Sequence, residues 1–109
     1  MTYSECLDLI KRGRGGRKKL RNNTYLHYNE IDNSFSVVLH STDVVKIYAD
    51  GRYILNSGGW RTHTTKKVIN MFSPIKIYQR QFEWFLTDGT PFEDGIVVSV
   101  VPLTKLAVA

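Results

Sequence analysis

The chain has little of what marks a disulfide-bonded, metal-binding or membrane protein. Cys6 is the only cysteine among 109 residues, so an internal disulfide is impossible and metal sites built on paired cysteines are excluded. The longest apolar run, Gly95 to Leu103, is far shorter than the about 20 residues of a membrane helix. Glu5 and Asp8 interrupt the N-terminal segment, which therefore does not resemble a signal peptide. We expect a cytoplasmic protein without a membrane partner.

Acidic residues are missing from one strongly basic segment. The net charge is +5, yet the basic residues outside positions 11–21 number fewer than the ten acidic ones. We call positions 11–21 the basic arm. Such a local excess of positive charge is typical of a loop that binds a polyanion, and a solvated loop without a partner is the alternative. The basic residues of the arm are Lys11, Arg12, Arg14, Arg17, Lys18, Lys19 and Arg21.

A short helix is predicted at the N-terminus. Thr2 and Glu5 have the spacing of a capping box, in which each side chain binds the backbone N–H of the other. Apolar residues then recur at helical spacing, which predicts a helix from about residue 3 to 12 with Cys6 as a small core residue. Glycines and like charges from Gly13 to Asn23 predict a mobile loop.

From Thr24 onward the apolar residues alternate with polar ones, which indicates β-strands. Asp50-Gly51 is the strongest hairpin signal, because both residues tolerate the positive φ angles of a type I′ turn. Short connections make the first four strands an antiparallel meander. In the sixth strand, Phe82, Trp84 and Leu86 are expected on one face. The predicted strands are 24–29, 35–40, 44–49, 52–55, 75–80, 82–87 and 96–101.

The predicted architecture is α+β and mainly antiparallel β. It is a strongly twisted six- to seven-stranded sheet or a partly open barrel, with an N-terminal helix and one short internal helix. Hydrophobic residues make up 42% of the sequence, and its length suffices for one core but not two. The predicted organisation is a helix and basic arm over 1–23, one β-rich domain over 24–102, and a tail over 103–109.

The residues from Leu55 to Phe72 contain the most plausible site. Gly58 and Gly59 form a turn that leads into the internal helix, predicted over 65–72 with Thr64 or Thr65 as its cap. Backbone N–H groups at a helix N-terminus favour an anion. Arginine, lysine and threonine side chains add phosphate donors, and a tryptophan offers a face for base stacking. The residues concerned here are Trp60, Arg61, Thr62, Thr64, Thr65 and Lys66.

A purely structural explanation of the same stretch competes with this prediction. The glycines would form a tight turn, Trp60 would fill the core, and the threonines would cap the helix. Together with the basic arm, the stretch defines the predicted nucleic-acid site. Its members are Arg12, Arg14, Arg17, Lys18, Lys19, Arg21, Trp60, Arg61, Thr62, Thr64, Thr65 and Lys66.

The three histidines give weaker signals. His27, His40 and His63 fall on separate predicted elements, so we expect neither a zinc site nor any other metal or cofactor. His63 is the best candidate for acid–base catalysis, in a small nuclease, if Asp43 or Asp50 approaches it in space. We expect no catalytic residue otherwise.

Tyrosines recur along the predicted strands. An exposed row of them beside the basic arm would suit single-stranded nucleic acid, because bases stack on aromatic rings. Alternatively, they lie at the edge of the core with a solvated hydroxyl. The residues are Tyr25, Tyr28, Tyr48, Tyr53 and Tyr78.

A set of short motifs is more specific than any single residue. They are Asn22-Asn23-Thr24-Tyr25-Leu26, Leu39-His40 with Thr42 and Val44-Val45, Asp50-Gly51, and above all Leu55-Asn56-Ser57-Gly58-Gly59-Trp60-Arg61-Thr62 followed by Thr64-Thr65-Lys66 and Ile69-Asn70. Through these motifs the segment 22–97 resembles a group of small proteins encoded by tailed bacteriophages. The resemblance implies a phage origin and brings no activity, cofactor or catalytic residue with it. The basic arm falls mostly outside it.

The leading hypothesis is therefore a non-enzymatic nucleic-acid-binding protein of a phage, active in the host cytoplasm. The arm would neutralise phosphates, the helix entrance would hold one phosphate, and an aromatic ring would stack on a base. A phage inhibitor that docks on an acidic host protein is the second hypothesis. A small nuclease that uses His63 is the third.

Overall fold

Six strands form one open antiparallel sheet, and two helices pack on one of its faces. The structure, a computed structural model, describes residues 1–11 and 15–99. The strand order is β1-β2-β3-β4-β5-β8, with β6 and β7 as a separate hairpin. The predicted α+β fold is confirmed, and the sheet formed by the described strands does not close into a barrel. The elements are α1 (Tyr3–Lys11), β1 (Arg17–Arg21), β2 (Thr24–Asn29), β3 (Ser34–Leu39), β4 (Thr42–Ile47), β5 (Arg52–Leu55), α2 (His63–Phe72), β6 (Ile77–Arg80), β7 (Glu83–Leu86) and β8 (Ile96–Ser99).

One face of the sheet carries the core. Leu26, Val37, Val45 and Leu55 lie opposite one another on neighbouring strands, and each is fully buried. Alternation along a strand sends every second side chain to this face, where α1 and α2 cover it. The other face is polar: Ser36 on β3 donates a hydrogen bond to the carboxylate of Asp43 on β4 (3.2 Å). The period-two pattern therefore predicted the core face.

Both helix starts are held by threonine caps. At α1 the predicted capping box is confirmed, because Thr2 Oγ1 accepts from the N–H of Glu5 at 3.1 Å. At α2 the predicted cap at Thr64 or Thr65 is wrong. Thr62 is extended, with ψ at 164°, and its hydroxyl accepts from the N–H of Thr65 at 3.2 Å. The helix consequently begins two residues before the predicted start.

Residues 17–21 of the basic arm form an edge strand, so the predicted mobile loop from Gly13 to Asn23 is wrong for this part. β1 pairs with β2 along its length. Backbone hydrogen bonds do not depend on side-chain charge, and alternation sends consecutive cations to opposite faces, which reduces their repulsion. Leu20 packs against the core. Arg12 and Arg14 lie outside the described residues.

Asn70 fixes the hairpin of β6 and β7 beside α2. Its side-chain amide donates to the carbonyl of Ile77 at 2.9 Å and accepts from the Ile77 N–H at 2.7 Å. The amide thus pairs with both backbone groups of one residue, as a neighbouring strand would. Asn70 thereby connects the helix to the hairpin.

The tip of this hairpin exposes an aromatic side chain. The register leaves Gln81 and Phe82 as a two-residue loop, with φ angles of 51° and 68°. Phe82 is 95% exposed, so the prediction that it shares a face with the buried Trp84 and Leu86 is wrong. A two-residue loop of this type needs positive φ at both positions, which pulls Phe82 out of the strand.

Replacing Phe82 with glycine should stabilise the protein, by about 0.5–1 kcal/mol. Glycine adopts positive φ without the steric cost that a side chain carries, and the exposed ring has no packing to lose. Urea unfolding of wild type and Phe82→Gly measures the difference. Phe82→Ala, which keeps the Cβ atom, is the matched control and should give little of the gain. A loss of stability in Phe82→Gly would show that the ring has packing partners after all.

Candidate nucleic-acid interface

The end of β1 and the entrance of α2 lie at the same end of the sheet. The turn between β1 and β2 contacts the turn between β3 and β4, where the N–H of His40 donates to the carbonyl of Asn23 at 2.8 Å. The loop after β5 begins beside β4, where the N–H of Asn56 donates to the carbonyl of Val44 at 3.0 Å. The C-terminal end of the arm and the glycine loop therefore both lie beside the turn of β3 and β4.

The double-glycine loop is held from two sides. Asp94 accepts hydrogen bonds from the hydroxyl of Ser57 at 2.6 Å and from its N–H at 2.8 Å. On the other side, Gly58 lies against Thr42 of β4. A Cβ atom on this glycine would come within 2.6 Å of the Thr42 γ-methyl carbon. Both contacts fix the direction in which the chain enters α2.

The two residues that follow the double glycine have different surroundings. Trp60 is 68% exposed, so the alternative that it fills the core is wrong. Arg61 is exposed too, but its guanidinium lies 5.6 Å from the ring centre of Trp84 and 5.2 Å from that of Phe92. It also donates to the carbonyl of Phe92 at 3.5 Å. Trp60 can therefore receive a ligand ring, while Arg61 is partly engaged within the protein.

The three threonines at the start of α2 also differ in whether their hydroxyls are engaged within the protein. Thr62 and Thr65 form a hydroxyl pair at 3.0 Å, and Thr65 is 3% exposed, so both act within the helix cap. Thr64 is exposed in the first turn of α2. The structural explanation thus holds for Thr62 and Thr65. Thr62 is exposed, but its hydroxyl is engaged in the cap, whereas Thr64 is exposed and takes no part in the cap.

The outward side of α2 is basic and continues onto β1. Lys67 is exposed, and Lys66 donates to the side-chain oxygen of Gln79 at 3.2 Å. Arg21, the last residue of β1, contacts the sulfur of Met71 near the end of the helix. These side chains border a shallow groove along the helix, lined by His63, Lys66, Lys67, Asn70 and Met71.

Two cations of the arm, Arg17 and Lys19, do not share this surface. Arg17 packs over the ring of Tyr25 at 4.4 Å, and in the register Lys19 pairs with Tyr25. Lys18 pairs with the core residue Leu26 and so lies toward the helix side. The register shift between Lys19 and Arg21 interrupts the alternation and pairs Arg21 with Thr24, so Arg17 and Lys19 lie on the face opposite Arg21.

The tyrosines do not form one row. Tyr53 is buried and donates to the carbonyl of Met1 at 2.8 Å. Tyr28 packs on the core residue Phe35, and Tyr78 stacks on Phe85 of the hairpin. Tyr25 and Tyr48 carry arginine side chains over their rings. The alternative of core-edge tyrosines fits most of these positions better than a stacking platform.

The histidines remain separate among the described residues, where no group of three metal-ligating side chains occurs. His63 is exposed in the first turn of α2. The two carboxylates considered for it are elsewhere, since Asp43 accepts from Ser36 and Asp50 pairs with Arg52 at 2.7 Å. The structure thus gives the nuclease hypothesis no acid–base pair in the part of the chain that it describes.

Sequence reasoning missed the residues that face Trp60 across a cavity of about 360 Å³. Its lining residues are Leu39, His40, Ser41, Thr42, Val44, Ser57, Trp60 and Thr65. The turn of β3 and β4 was visible in the sequence as a break in alternation. Its approach to the glycine loop was not, because it depends on packing between distant segments.

Within residues 1–11 and 15–99, no helix is long and apolar enough to cross a membrane.

Loss of the Asp94 carboxylate should destabilise the loop in a pH-dependent way. Burial raises the pKa of Asp94, but the hydrogen bonds from Ser57, the positive charge of Arg61 and the backbone N–H of Gly59 together outweigh it and hold the pKa below its ordinary value of 3.8. A lowered pKa stabilises the fold above the ordinary value, and that contribution is lost as pH falls through the folded value. Asp94→Asn should cost about 1–2 kcal/mol at pH 7 in urea unfolding, and the cost should decline as the pH falls below the ordinary pKa of 3.8.

Glu93→Gln is the matched control. It removes one negative charge from the neighbouring position, where the side chain is exposed. It should change stability by less than about 0.5 kcal/mol at either pH. An Asp94→Asn cost that is independent of pH would contradict the assigned role of the carboxylate.

The contact of Gly58 with Thr42 should make Gly58→Ala more destabilising than Gly59→Ala. Both glycines have positive φ, 63° and 83°, so each substitution meets a backbone cost of about 1–2 kcal/mol. Only Gly58 also meets Thr42, whereas a Cβ on Gly59 has no neighbour within 4 Å. In urea unfolding, Gly58→Ala should lose at least about 1 kcal/mol more stability than Gly59→Ala. Thr42→Ala should reduce this difference in a double-mutant cycle. Equal losses at the two glycines would argue against the contact.

The model of one protein family matches the chain over residues 4–99, and its description is Kyanoviridae Gp96 protein. The match covers most of the 109 residues, so the chain belongs to this phage protein family. The phage origin implied by the sequence motifs is thereby confirmed. No curated protein and no solved structure matches the chain.

Proposed function

We propose that this member of the Kyanoviridae Gp96 family is a non-enzymatic nucleic-acid-binding protein that acts in the host cytoplasm. The observation that carries the proposal is a set of cations without carboxylate partners. Across the described residues, salt bridges occur only between Lys46 and Asp32 and between Arg52 and Asp50. The cations of β1 and α2 have none. They are Arg17, Lys18, Lys19, Arg21, Lys66 and Lys67.

Unpaired cations favour a polyanion for a physical reason. Each phosphate neutralised by lysine or arginine releases condensed counterions from the nucleic acid, and no internal ion pair has to break first. Lys46 holds its carboxylate partner at 2.6 Å and helps to lower the pKa of Asp32 to about 2, so it is already committed. The cations of β1 and α2 have no carboxylate partner among the described residues, so they can bind a phosphate without breaking an ion pair.

Four of these cations, Lys18, Arg21, Lys66 and Lys67, favour the side of the sheet that carries α2, whereas Arg17 and Lys19 lie on the other face. Arg21 reaches Met71 at one end of the helix, and Lys67 is exposed one turn earlier on the same helix. The entrance of α2 lies at the other end, with Thr64 exposed and Trp60 beside it. A single strand that runs along α2 from its C-terminal end would meet the cationic side chains first and the ring of Trp60 last.

Removal of cations on this side should weaken binding more than removal of other cations. Arg21→Gln with Lys67→Gln should reduce the affinity for a short single-stranded oligonucleotide and lower the salt slope by roughly 0.7 for each phosphate that is no longer neutralised. Fluorescence anisotropy between low and physiological salt measures both quantities. Arg17→Gln with Lys19→Gln removes the same charge from the opposite face and should have the smaller effect.

Lys46→Gln with Arg52→Gln serves as the control for net charge, because both cations are salt-bridged. Its affinity should stay closest to wild type. Equal losses in all three double variants would mean that only net charge matters and that no particular surface binds. Absence of any binding at low salt with micromolar protein would overturn the proposal.

An inhibitor of a host protein is the second candidate, and Phe82 is the observation that favours it. An almost fully exposed phenylalanine at positive φ costs stability where it stands, and it lies on the same hairpin as the Tyr78–Phe85 stack. Buried aromatic residues often dominate protein interfaces. Capture of a host protein that survives nuclease treatment and is lost in Phe82→Ser, but not in the Arg21 and Lys67 double variant, would favour this function.

A further inference from the structure

The cavity beside Trp60 lies where three separated segments meet. The turn of β3 and β4 contributes His40 and Ser41, the glycine loop contributes Ser57 and Trp60, and α2 contributes Thr65. Its volume of about 360 Å³ falls in the range of small-molecule sites, about 300–1,000 Å³. The cavity adjoins the surface proposed for nucleic acid, because Trp60 and α2 belong to both.

A β-bulge builds the apolar floor. Val37 pairs with Val45 and Val38 pairs with Asp43, so Val44 is the extra residue on β4. Consecutive strand residues normally point to opposite faces, but the bulge allows Val44 and Val45 both to be fully buried. Val44 thereby lines the cavity together with the buried Leu39 of β3.

The polar groups of the wall differ in whether they are already bonded. The hydroxyl of Ser57 donates to Asp94, and that of Thr65 pairs with Thr62. Among the described residues, the hydroxyls of Ser41 and Thr42 and the imidazole of His40 have no hydrogen-bond partner within the protein. They remain available as donors and acceptors for a ligand.

The loop that closes the cavity is fixed by the contacts of Ser57 with Asp94 and of Gly58 with Thr42. Trp60 lies at the end of this loop, and its backbone N–H donates to the carbonyl of Ser57 at 3.0 Å. The indole therefore projects from a constrained turn and borders the cavity while remaining 68% exposed. A flat ligand that enters would meet the exposed ring at the mouth and the bulge at the floor.

We propose that this cavity receives one unpaired nucleobase of a single-stranded nucleic acid, with Trp60 stacked on it. The inference rests on the proposed nucleic-acid-binding function and names its substrate class. An aromatic ring, unpaired hydroxyls and a neighbouring row of cations match a base, its polar edge and the phosphates beside it. Bases within a duplex are already stacked and paired, so the protein prefers single strands.

The first experiment compares two single strands of equal charge with each other and with a duplex. Wild-type protein is titrated with an oligothymidylate, an abasic strand of the same length and a duplex, by fluorescence anisotropy at fixed salt. The abasic strand should bind about tenfold more weakly, because stacking of a base contributes about 1–3 kcal/mol. Both single strands should share one salt slope, since they carry equal numbers of phosphates. The duplex should bind more weakly than the oligothymidylate.

Tryptophan emission reports whether the base reaches the cavity. Trp84 is 3% exposed, whereas Trp60 is largely exposed, so an aqueous quencher such as iodide acts selectively on Trp60. The oligothymidylate should quench Trp60 emission and protect it from iodide. The abasic strand should do neither.

Three variants test the cavity itself. Trp60→Leu should abolish the difference between the two single strands, whereas Trp60→Phe should retain part of it. Thr42→Val should reduce the difference, because it removes one hydroxyl while the branched shape against Gly58 stays the same. Phe82→Leu removes an exposed aromatic ring from the hairpin instead and should leave the difference intact.

The outcomes separate the two proposals. If the oligothymidylate and the abasic strand bind equally, with the expected salt slope and no quenching of Trp60, the base cavity is wrong and the proposed function stands. Preference for the duplex would also overturn the base cavity. If no nucleic acid binds at low salt, the proposed function fails and the cavity proposal fails with it.

Discussion

The close approach of Gly58 to Thr42 is the constraint on which the candidate site depends. A backbone without a side chain allows the loop after β5 to lie directly on β4, and Asp94 holds the neighbouring Ser57 from the other side. This geometry decides where α2 begins and leaves Trp60 at the mouth of a cavity. A loop displaced by one side chain would separate the tryptophan from the turn of β3 and β4.

Charge is distributed by the same backbone geometry. The basic arm is a strand over residues 17–21, and the register shift between Lys19 and Arg21 interrupts its alternation. Arg21 therefore lies toward α2, whereas Arg17 lies toward Tyr25. The surface next to α2 therefore combines cations from two elements that are far apart in sequence. An edge strand rich in lysine and arginine also resists pairing with another sheet. One strand thus protects the sheet edge and supplies charge for the proposed interface.

Much of the fold could be predicted because it depends on local patterns. The capping box at Thr2 and the alternation in β2 to β5 both involve residues close in sequence. The errors have non-local causes. The charge of the arm obscured a strand that depends on pairing with β2, and the turn at Gln81 and Phe82 lacks the usual glycine, so its positive φ angles gave no sequence signal.

For this protein, the sequence by itself determined the class of fold, the phage family motifs and the residue types that could bind a phosphate or a base. Only the tertiary structure decided which of them meet. Trp60 is exposed, Arg61 lies on Trp84 and Phe92, and Thr65 is buried in the helix cap. The physical reason is that propensity and alternation act within about one turn of helix or one strand. The bulge at Val44 and the contact of Gly58 with Thr42 arise from packing between segments that the sequence does not place side by side.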